Sequence, residues 1–266
     1  MTKKALCVGI NDYPYENNDL NGCVNDAKAW AALLTDHFDF PDSDVRLLLD
    51  DQATKASIMK ALTELVTDAE AGDVLVFTNS SHGTYVADTS GDEEMYDEAM
   101  CPYDCGETLI VDDELRELFA TLTDNVSLTV ISDSCFSGTV TRAVPSLKTP
   151  DDRRKRFLNP GIIGRGTLKN VWKAVQKGKT KFPESKMKDI LLSGCSDKQY
   201  SYDAEIDGMY HGAMTYYALK AIEEANYQIT YQDLHKRLKK LLKESNFDQT
   251  PKLEGKKDKK KSPIFT

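Results

Sequence analysis

The chain has 266 residues, of which 40% are hydrophobic and 29% charged, a balance that excludes a disordered or fibrous polypeptide and leaves ample length for a core. No apolar run approaches the ~20 residues that a helix needs to cross a bilayer. The net charge of −9 hides an uneven distribution. Residues 1–145 carry 8 Lys and Arg against 28 Asp and Glu, residues 146–188 carry 13 against 3, and residues 189–266 carry 13 against 12. A basic block between an acidic segment and a neutral one is open to three readings at this point: a nucleic-acid surface, an exposed linker, or plain solvated surface.

In chain order, Met1-Thr2-Lys3-Lys4 leads straight into an apolar strand over Lys4–Ile10, with no signal-peptide pattern, which predicts a cytoplasmic protein. Asn11–Gly22, with Pro14 and several Asn, predicts a loop at that strand's carboxyl end. Val24, Ala27, Trp30, Ala31 and Leu34 recur at helical spacing over Val24–Phe38. Val45–Leu49 predicts a second strand. Thr54 caps a helix running to about Glu70, with Ile58, Leu62, Leu65 and Val66 on its buried face. Asp73–Thr78 is the third strand, and Asn79–Glu107 is a long acidic stretch read as irregular. Asp112–Thr121 is a helix opened by two aspartates that suit its N-terminal dipole. Ser127–Ile131 is the fourth strand, so the alternation of strand and helix predicts a mostly parallel sheet with helices on both faces.

Beyond it, Asp189–Leu192 is a further strand, and Ala213–Ala225 and Tyr231–Leu242 are amphipathic helices. The lysine run at Gly255–Lys261 reads as a solvated loop. There are six cysteines: Cys7, Cys23, Cys101, Cys105, Cys135 and Cys195. A chain with this much core needs no disulfide staples. Cys7 lies within a strand and reads as core. Cys101 and Cys105 lack a second ligand pair at zinc spacing.

Two strands end alike. Asp73–Gly83 runs from apolar residues into a small-residue turn carrying His82. Val126–Gly138 does the same and delivers Cys135. Carboxyl ends of parallel strands are where α/β proteins build sites, and a Cys beside a His is a nucleophile with a base. The bland alternatives are a buried structural thiol and a packing histidine. His211, in the loop after the Asp189–Leu192 strand, is the one serious competitor to His82.

Six ordered segments resemble one family. They are Ala5–Asn11, Leu20–Ala27, Ser80-Ser81-His82-Gly83, Asp133-Ser134-Cys135-Phe136-Ser137-Gly138, Leu192–Asp197 and Gln249–Gly255. Together they resemble the metacaspases and the bacterial orthocaspases, caspase-like cysteine peptidases. The one departure in the histidine motif is Ser81, where the family usually has Gly.

The resemblance implies a caspase-like three-layer α/β sandwich with a mostly parallel central sheet. It implies a large-subunit-like segment over 1–145, a basic linker over 146–188 and a small-subunit-like segment over 189–266, together one compact catalytic domain. Cys135 is then the nucleophile and His82 the base, with no obligatory third residue. The N–H groups of Gly83 and Cys135 are the natural oxyanion donors. Carried over by motif, Cys23, Asp26, Ser80 and Asp133 form an acidic pocket, so cleavage is expected after Arg or Lys rather than Asp. The basic linker, with Arg153, Arg154, Arg156, Arg165, Lys169 and Lys173, becomes a target for autoprocessing or a built-in inhibitor, and nucleic-acid binding recedes.

No obligatory cofactor is implied. Calcium is the one candidate, through Asp97, Asp112 and Asp113, although Arg142 stands where the family has a further aspartate. The resemblance favours a monomer acting on peptide or protein substrates. Two other readings stand beside the peptidase: a catalytically silent scaffold that binds basic peptides or a partner, and an aspartate-specific peptidase, against which the acidic pocket argues.

Overall fold

A computed structural model describes residues 1–87, 96–135, 153–163, 167, 186–196 and 199–266. Six strands form the central sheet: β1 (Lys3–Gly9), β2 (Val45–Leu49), β3 (Val74–Ser80), β7 (Ser127–Asp133), β9 (Asp189–Ser193) and β12 (Lys252–Glu254). Their order across the sheet is β12-β9-β7-β3-β1-β2. All neighbours are parallel except β12, which pairs antiparallel with β9. Strands from the acidic N-terminal segment and from the C-terminal segment thus share one sheet, joined where β7 pairs with β9.

The sheet is buried on both faces, and the alternation of its side chains decides which residue goes where. On β1, Ala5 and Cys7 face one core, while Leu6 and Val8 face the other. The first core takes Trp30 and Leu34 from α1 (Cys23–His37), Met214 and Ala218 from α4 (Ala213–Glu223), and Leu234 and Leu238 from α5 (Tyr231–Glu244). The second takes Ile58 and Leu62 from α2 (Lys55–Thr67) and Phe119 from α3 (Asp112–Ala120). The result is three layers, as expected. Fully burying each such large apolar side chain contributes about 1.5–3 kcal/mol. Cys7 is fully buried, as its place in the strand predicts, and burial pushes its thiol up to about 12.

The helix starts follow local chemistry. Thr54 accepts a hydrogen bond from the Ser57 N–H at 3.2 Å, a cap that contributes about 1 kcal/mol. At α3 the Glu114 carboxylate reaches back to the Val111 N–H at 3.0 Å and also pairs with Lys55 at 2.7 Å, tying α3 to the start of α2.

Three stretches differ from the sequence reading. The acidic stretch read as irregular contains a hairpin, β4 (Gly83–Ala87) with β5 (Tyr96–Met100), extended by β6 (Ile110–Val111). Its polar residues masked the two-residue period. A second small sheet is formed by β8 (Arg154–Lys155), β10 (Tyr202–Ile206) and β11 (Met209–Gly212), its apolar signature limited to the short alternation of Tyr202, Ala204 and Ile206 with Asp203 and Glu205. The lysine run is a short helix, α6 (Lys257–Lys260), and not only solvated: Lys259 donates to the carbonyls of Lys188 and Val126, just ahead of β9 and β7. Among the described residues no helix is long and apolar enough to cross a membrane.

Candidate active site

β3 and β7 pair in a register that sets Ser80 opposite Asp133 at their last residues. Two positions further along, the chains carry His82 and Cys135, so the sheet delivers both from neighbouring carboxyl ends. Both are buried.

His82 is held firmly. Its backbone N–H donates to the Tyr13 hydroxyl at 3.1 Å, and the Tyr13 and His82 rings lie 4.9 Å apart. Nε2 lies 2.7 Å from the Asn18 carbonyl. A carbonyl only accepts, so Nε2 carries the proton and the lone pair sits on Nδ1. Nδ1 is buried without a hydrogen-bond partner. Burial pushes the imidazole down to about 4, the Asn18 hydrogen bond opposing this and the Arg156 charge adding to it. Asn18 and Tyr13 were not legible as site residues, since one acts through a backbone carbonyl and the other sits in a polar loop. Ser81, the departure from the family motif, is buried and turns its hydroxyl to the His82 carbonyl at 3.0 Å.

Cys135 Sγ donates to the Ser201 carbonyl at 3.2 Å and accepts from the Ser201 N–H at 2.7 Å. Burial, followed by the neighbouring Cys195, pushes the thiol well up. In this arrangement the pair is a neutral thiol and a neutral imidazole.

The space in front of the thiol is filled by the chain's own basic block. Arg154 and Lys155 pair antiparallel with Asp203 and Tyr202, and the Arg156 N–H donates to the Ser201 carbonyl at 3.0 Å. The Arg156 carbonyl accepts from two N–H groups, Gly83 at 3.0 Å and Cys135 at 3.2 Å. After it, Leu158 N–H donates to the Gly83 carbonyl at 2.9 Å, and the Thr84 hydroxyl donates to the Leu158 carbonyl at 2.9 Å. A side chain on Gly83 would collide with the Cys135 carbonyl, so only glycine lets these two turns come this close.

The Arg156 side chain is fully buried in an acidic pocket. Nη2 donates to Asp26 Oδ2 at 2.7 Å and Asp203 Oδ1 at 3.0 Å. Nη1 donates to Ser80 Oγ at 3.0 Å and the Asp133 carbonyl at 3.1 Å, with Asp133 Oδ2 at 3.4 Å. Burial alone would push the guanidinium down, but Cys23 and the three carboxylates outweigh it, and Arg156 is driven well above its ordinary range.

The pocket carboxylates are themselves tied down. Asp133 accepts from Thr215 N–H and Oγ1 at 2.9 and 2.8 Å and from the Ser201 hydroxyl. Asp26 accepts from the Gly212 N–H, the Ser80 hydroxyl and His211 Nδ1. Asp203 accepts from the N–H groups of Asn21 and Gly22 at 2.8 and 3.0 Å. Cys23 lies buried beside them, its thiol pushed well up by burial.

The four pocket residues expected from the sequence, Cys23, Asp26, Ser80 and Asp133, are therefore brought together. The expectation of two carboxylates is corrected to three, because Asp203 was missed. Its signal was faint: one of two carboxylates, with Glu205, in the short strand β10. His211 stands behind Asp26 in the pocket wall.

The metal expectation finds no comparable convergence. Asp112 accepts from Arg116 Nε at 3.2 Å on its own helix, with Asp113 next to it. The side chain of Asp97 lies outside the described residues, as do Arg142, Arg165, Lys169 and Lys173. Among the described residues no three His, Cys, Asp or Glu side chains gather as a metal site would require. Calcium wants six to eight oxygen ligands, and Asp112 and Asp113 on one helical turn do not supply them.

Comparison with known proteins accords with this geometry. Residues 3–144 match the family model described as "Metacaspase, peptidase C14 domain". Metacaspase-1 of Scheffersomyces stipitis is 34% identical over 94% of this chain and 70% of its own length. Metacaspase-1A of Aspergillus oryzae is 33% identical over 95% of this chain and 67% of its own. Among solved structures, a protein from Geobacter sulfurreducens superposes with a TM-score of 0.80 at 28% identity, covering 100% of this chain and 99% of that one. Caspase-1 of Spodoptera frugiperda shares the fold, with a TM-score of 0.58 at 9% identity over 95% and 86% of the two chains.

Proposed function

The chain belongs to the metacaspase family of cysteine-type endopeptidases, and from that premise we propose that it cuts peptide bonds after arginine or lysine, its own linker included. The observation that carries this reading is Arg156, with its side chain among three carboxylates and its carbonyl held by the Gly83 and Cys135 N–H groups. A substrate's P1 residue needs both contacts at once.

The chemistry follows from the named atoms. The Cys135 thiol turns from the Ser201 carbonyl and gives its proton to Nδ1 of His82, whose Nε2–H stays on Asn18. The sulfur bonds to the P1 carbonyl carbon, and the negative charge moves to its oxygen, between the two N–H donors. The carbon–nitrogen bond breaks, and the leaving amine takes the proton from His82. Water, deprotonated by the same imidazole, then hydrolyses the thioester and frees the thiol.

Arginine is the better P1 residue. Two guanidinium nitrogens of Arg156 reach Asp26, Asp203, Ser80 and the Asp133 carbonyl, a spread that a single ammonium cannot match. An aspartate in this pocket would meet three like charges.

Until it is cut, the linker keeps substrates out, so Arg156–Phe157 is both plug and processing site. No step is assigned to calcium. A monomer suits the sheet edge, where β12 has three residues with Lys252 and Glu254, a short charged strand poorly suited to pairing with a second sheet. Fluorogenic peptides ending in Arg, Lys or Asp, with wild type and Cys135→Ala, in EDTA and in calcium, test the reading. The expected order is Arg, then Lys, with Asp uncut; an aspartate preference overturns it.

A further inference from the structure

The residues flanking Arg156 are held by specific side chains that the peptidase reading does not use. Arg153 lies with its guanidinium 4.1 Å from the centre of the Phe247 ring and donates to the Asn246 carbonyl at 2.8 Å. The Phe247 ring is set by Tyr202 and Tyr217, at 6.3 and 5.8 Å between centres. Arg153 borders an open groove of about 520 Å³ that is also lined by the exposed carboxylates Glu205 and Asp207. Lys155 Nζ lies 4.1 Å from the centre of the Tyr200 ring. On the other side of the scissile bond, Phe157 stacks on Tyr85 at 5.9 Å and 18° and meets the edge of Tyr200 at 5.8 Å. Arg154, by contrast, is exposed and, among the described residues, donates to the Asp19 carbonyl at 2.7 Å.

We infer that the cleft reads a polybasic segment ending in an aromatic residue. In this reading Phe247 and the Asn246 carbonyl take an arginine three residues before the P1 residue, Tyr200 takes a basic residue next to P1, and Tyr85 with Tyr200 takes an aromatic ring after the cut. A cation over an aromatic face is attracted by the ring quadrupole, and nearby carboxylates reinforce the choice of sign. Tyr200 serves both sides of the bond, so it aligns the peptide across the thiol. Tyr200 lies just ahead of β10 and Phe247 packs against Tyr202 at its start, and one strand therefore supports the antiparallel pairing, the third pocket carboxylate and both cation sites. The inference rests on the P1 reading above and extends it to the residues around the cut.

The test uses internally quenched peptides bearing the linker sequence Arg-Arg-Lys-Arg-Phe-Leu and the full-length chain. Alanine in place of the first arginine, or of the phenylalanine, is expected to lower kcat/KM about 3- to 10-fold. Alanine for the second arginine changes it less than about twofold, as befits an exposed contact. Phe247→Leu keeps an apolar side chain but removes the quadrupole, so the ratio between the parent peptide and its first-arginine variant collapses toward one. A thermal melt checks that this variant is folded, and Tyr200→Leu gives the parallel test at the other ring. Equal rates for parent and first-arginine variant, or a ratio that survives Phe247→Leu, overturn the inference while leaving the P1 reading intact. Hydrolysis that survives alanine at the P1 arginine, or no hydrolysis of any peptide, overturns both.

Discussion

The backbone N–H of Cys135 donates to the carbonyl of Arg156 at 3.2 Å. The residue at the tip of β7 is thus bonded to the carbonyl of the one arginine whose side chain fills the acidic pocket. On the proposed function this is the pose of a peptide about to be cut. Wild type is expected to separate into fragments 1–156 and 157–266, the second beginning at Phe157 by N-terminal sequencing. Cys135→Ala should stay whole. Arg156→Lys should be cut more slowly, because one ammonium replaces a fork that reaches Asp26, Asp203 and Ser80. A wild-type chain that stays intact, or is cut elsewhere in the linker, would refute the assignment of the site.

Asp203 supplies one of the two carboxylate oxygens on Nη2 of Arg156. Asp203→Asn keeps the side chain's shape but removes the charge, and it keeps an acceptor for only one of the Asn21 and Gly22 N–H groups, which bond to different carboxylate oxygens. A hydrogen bond to a charged group contributes about 1.5–3 kcal/mol, so kcat/KM for arginine peptides should fall roughly 10- to 100-fold. The measurement is steady-state kinetics on arginine and lysine peptides; unchanged rates would remove Asp203 from the pocket.

What the sequence made legible follows from the kind of signal each part leaves. β1, β3 and β7 are buried on both faces, so their apolar runs stand out, and β2 at the sheet edge still shows its three consecutive leucines. Cys135, His82, Asp26 and Asp133 sit in compact motifs beside those runs. Asp203 and Ser201 do not. They lie in and just ahead of β10, a short strand that pairs with β11 across the two-residue turn Asp207-Gly208 and with the basic β8, which is distant in sequence. Its role comes from pairing with the linker and from backbone groups at Ser201, and neither leaves a residue-type signature. The hairpin β4–β5 was hidden for a similar reason, since its acidic residues suppress the alternation. Asn18 contributes a carbonyl that any residue could supply, and only the fold brings it to His82.

Gly212 lines the pocket with backbone alone. Its φ of −68° and ψ of 130° suit any residue, yet a Cβ there would overlap the Asp133 carboxylate and the Arg156 guanidinium. Gly212→Ala should therefore fold but exclude the arginine side chain. The expected outcome is loss of both self-cleavage and arginine-peptide hydrolysis, with a Tm close to that of Cys135→Ala. Hydrolysis at the wild-type rate would mean that the guanidinium binds elsewhere.

His82 makes the uncut state sensitive to acid. Its pKa is pushed from 6.5 down to about 4, chiefly by burial. Between those values the unfolded chain binds a proton that the folded, linker-filled chain refuses, so stability is full above about pH 6.5 and is lost as pH falls toward 4. A shift of this size is linked to about 3 kcal/mol. In a Cys135→Ala background, which keeps the linker uncut, lowering the pH from 7 to 4.5 should reduce Tm. Adding His82→Asn should make that reduction smaller, because asparagine has no proton to gain. The two proteins differ only at residue 82, so the difference between the two curves isolates the imidazole. Identical curves would mean that His82 is already open to solvent in the uncut chain, and that the linker does not seal the cleft.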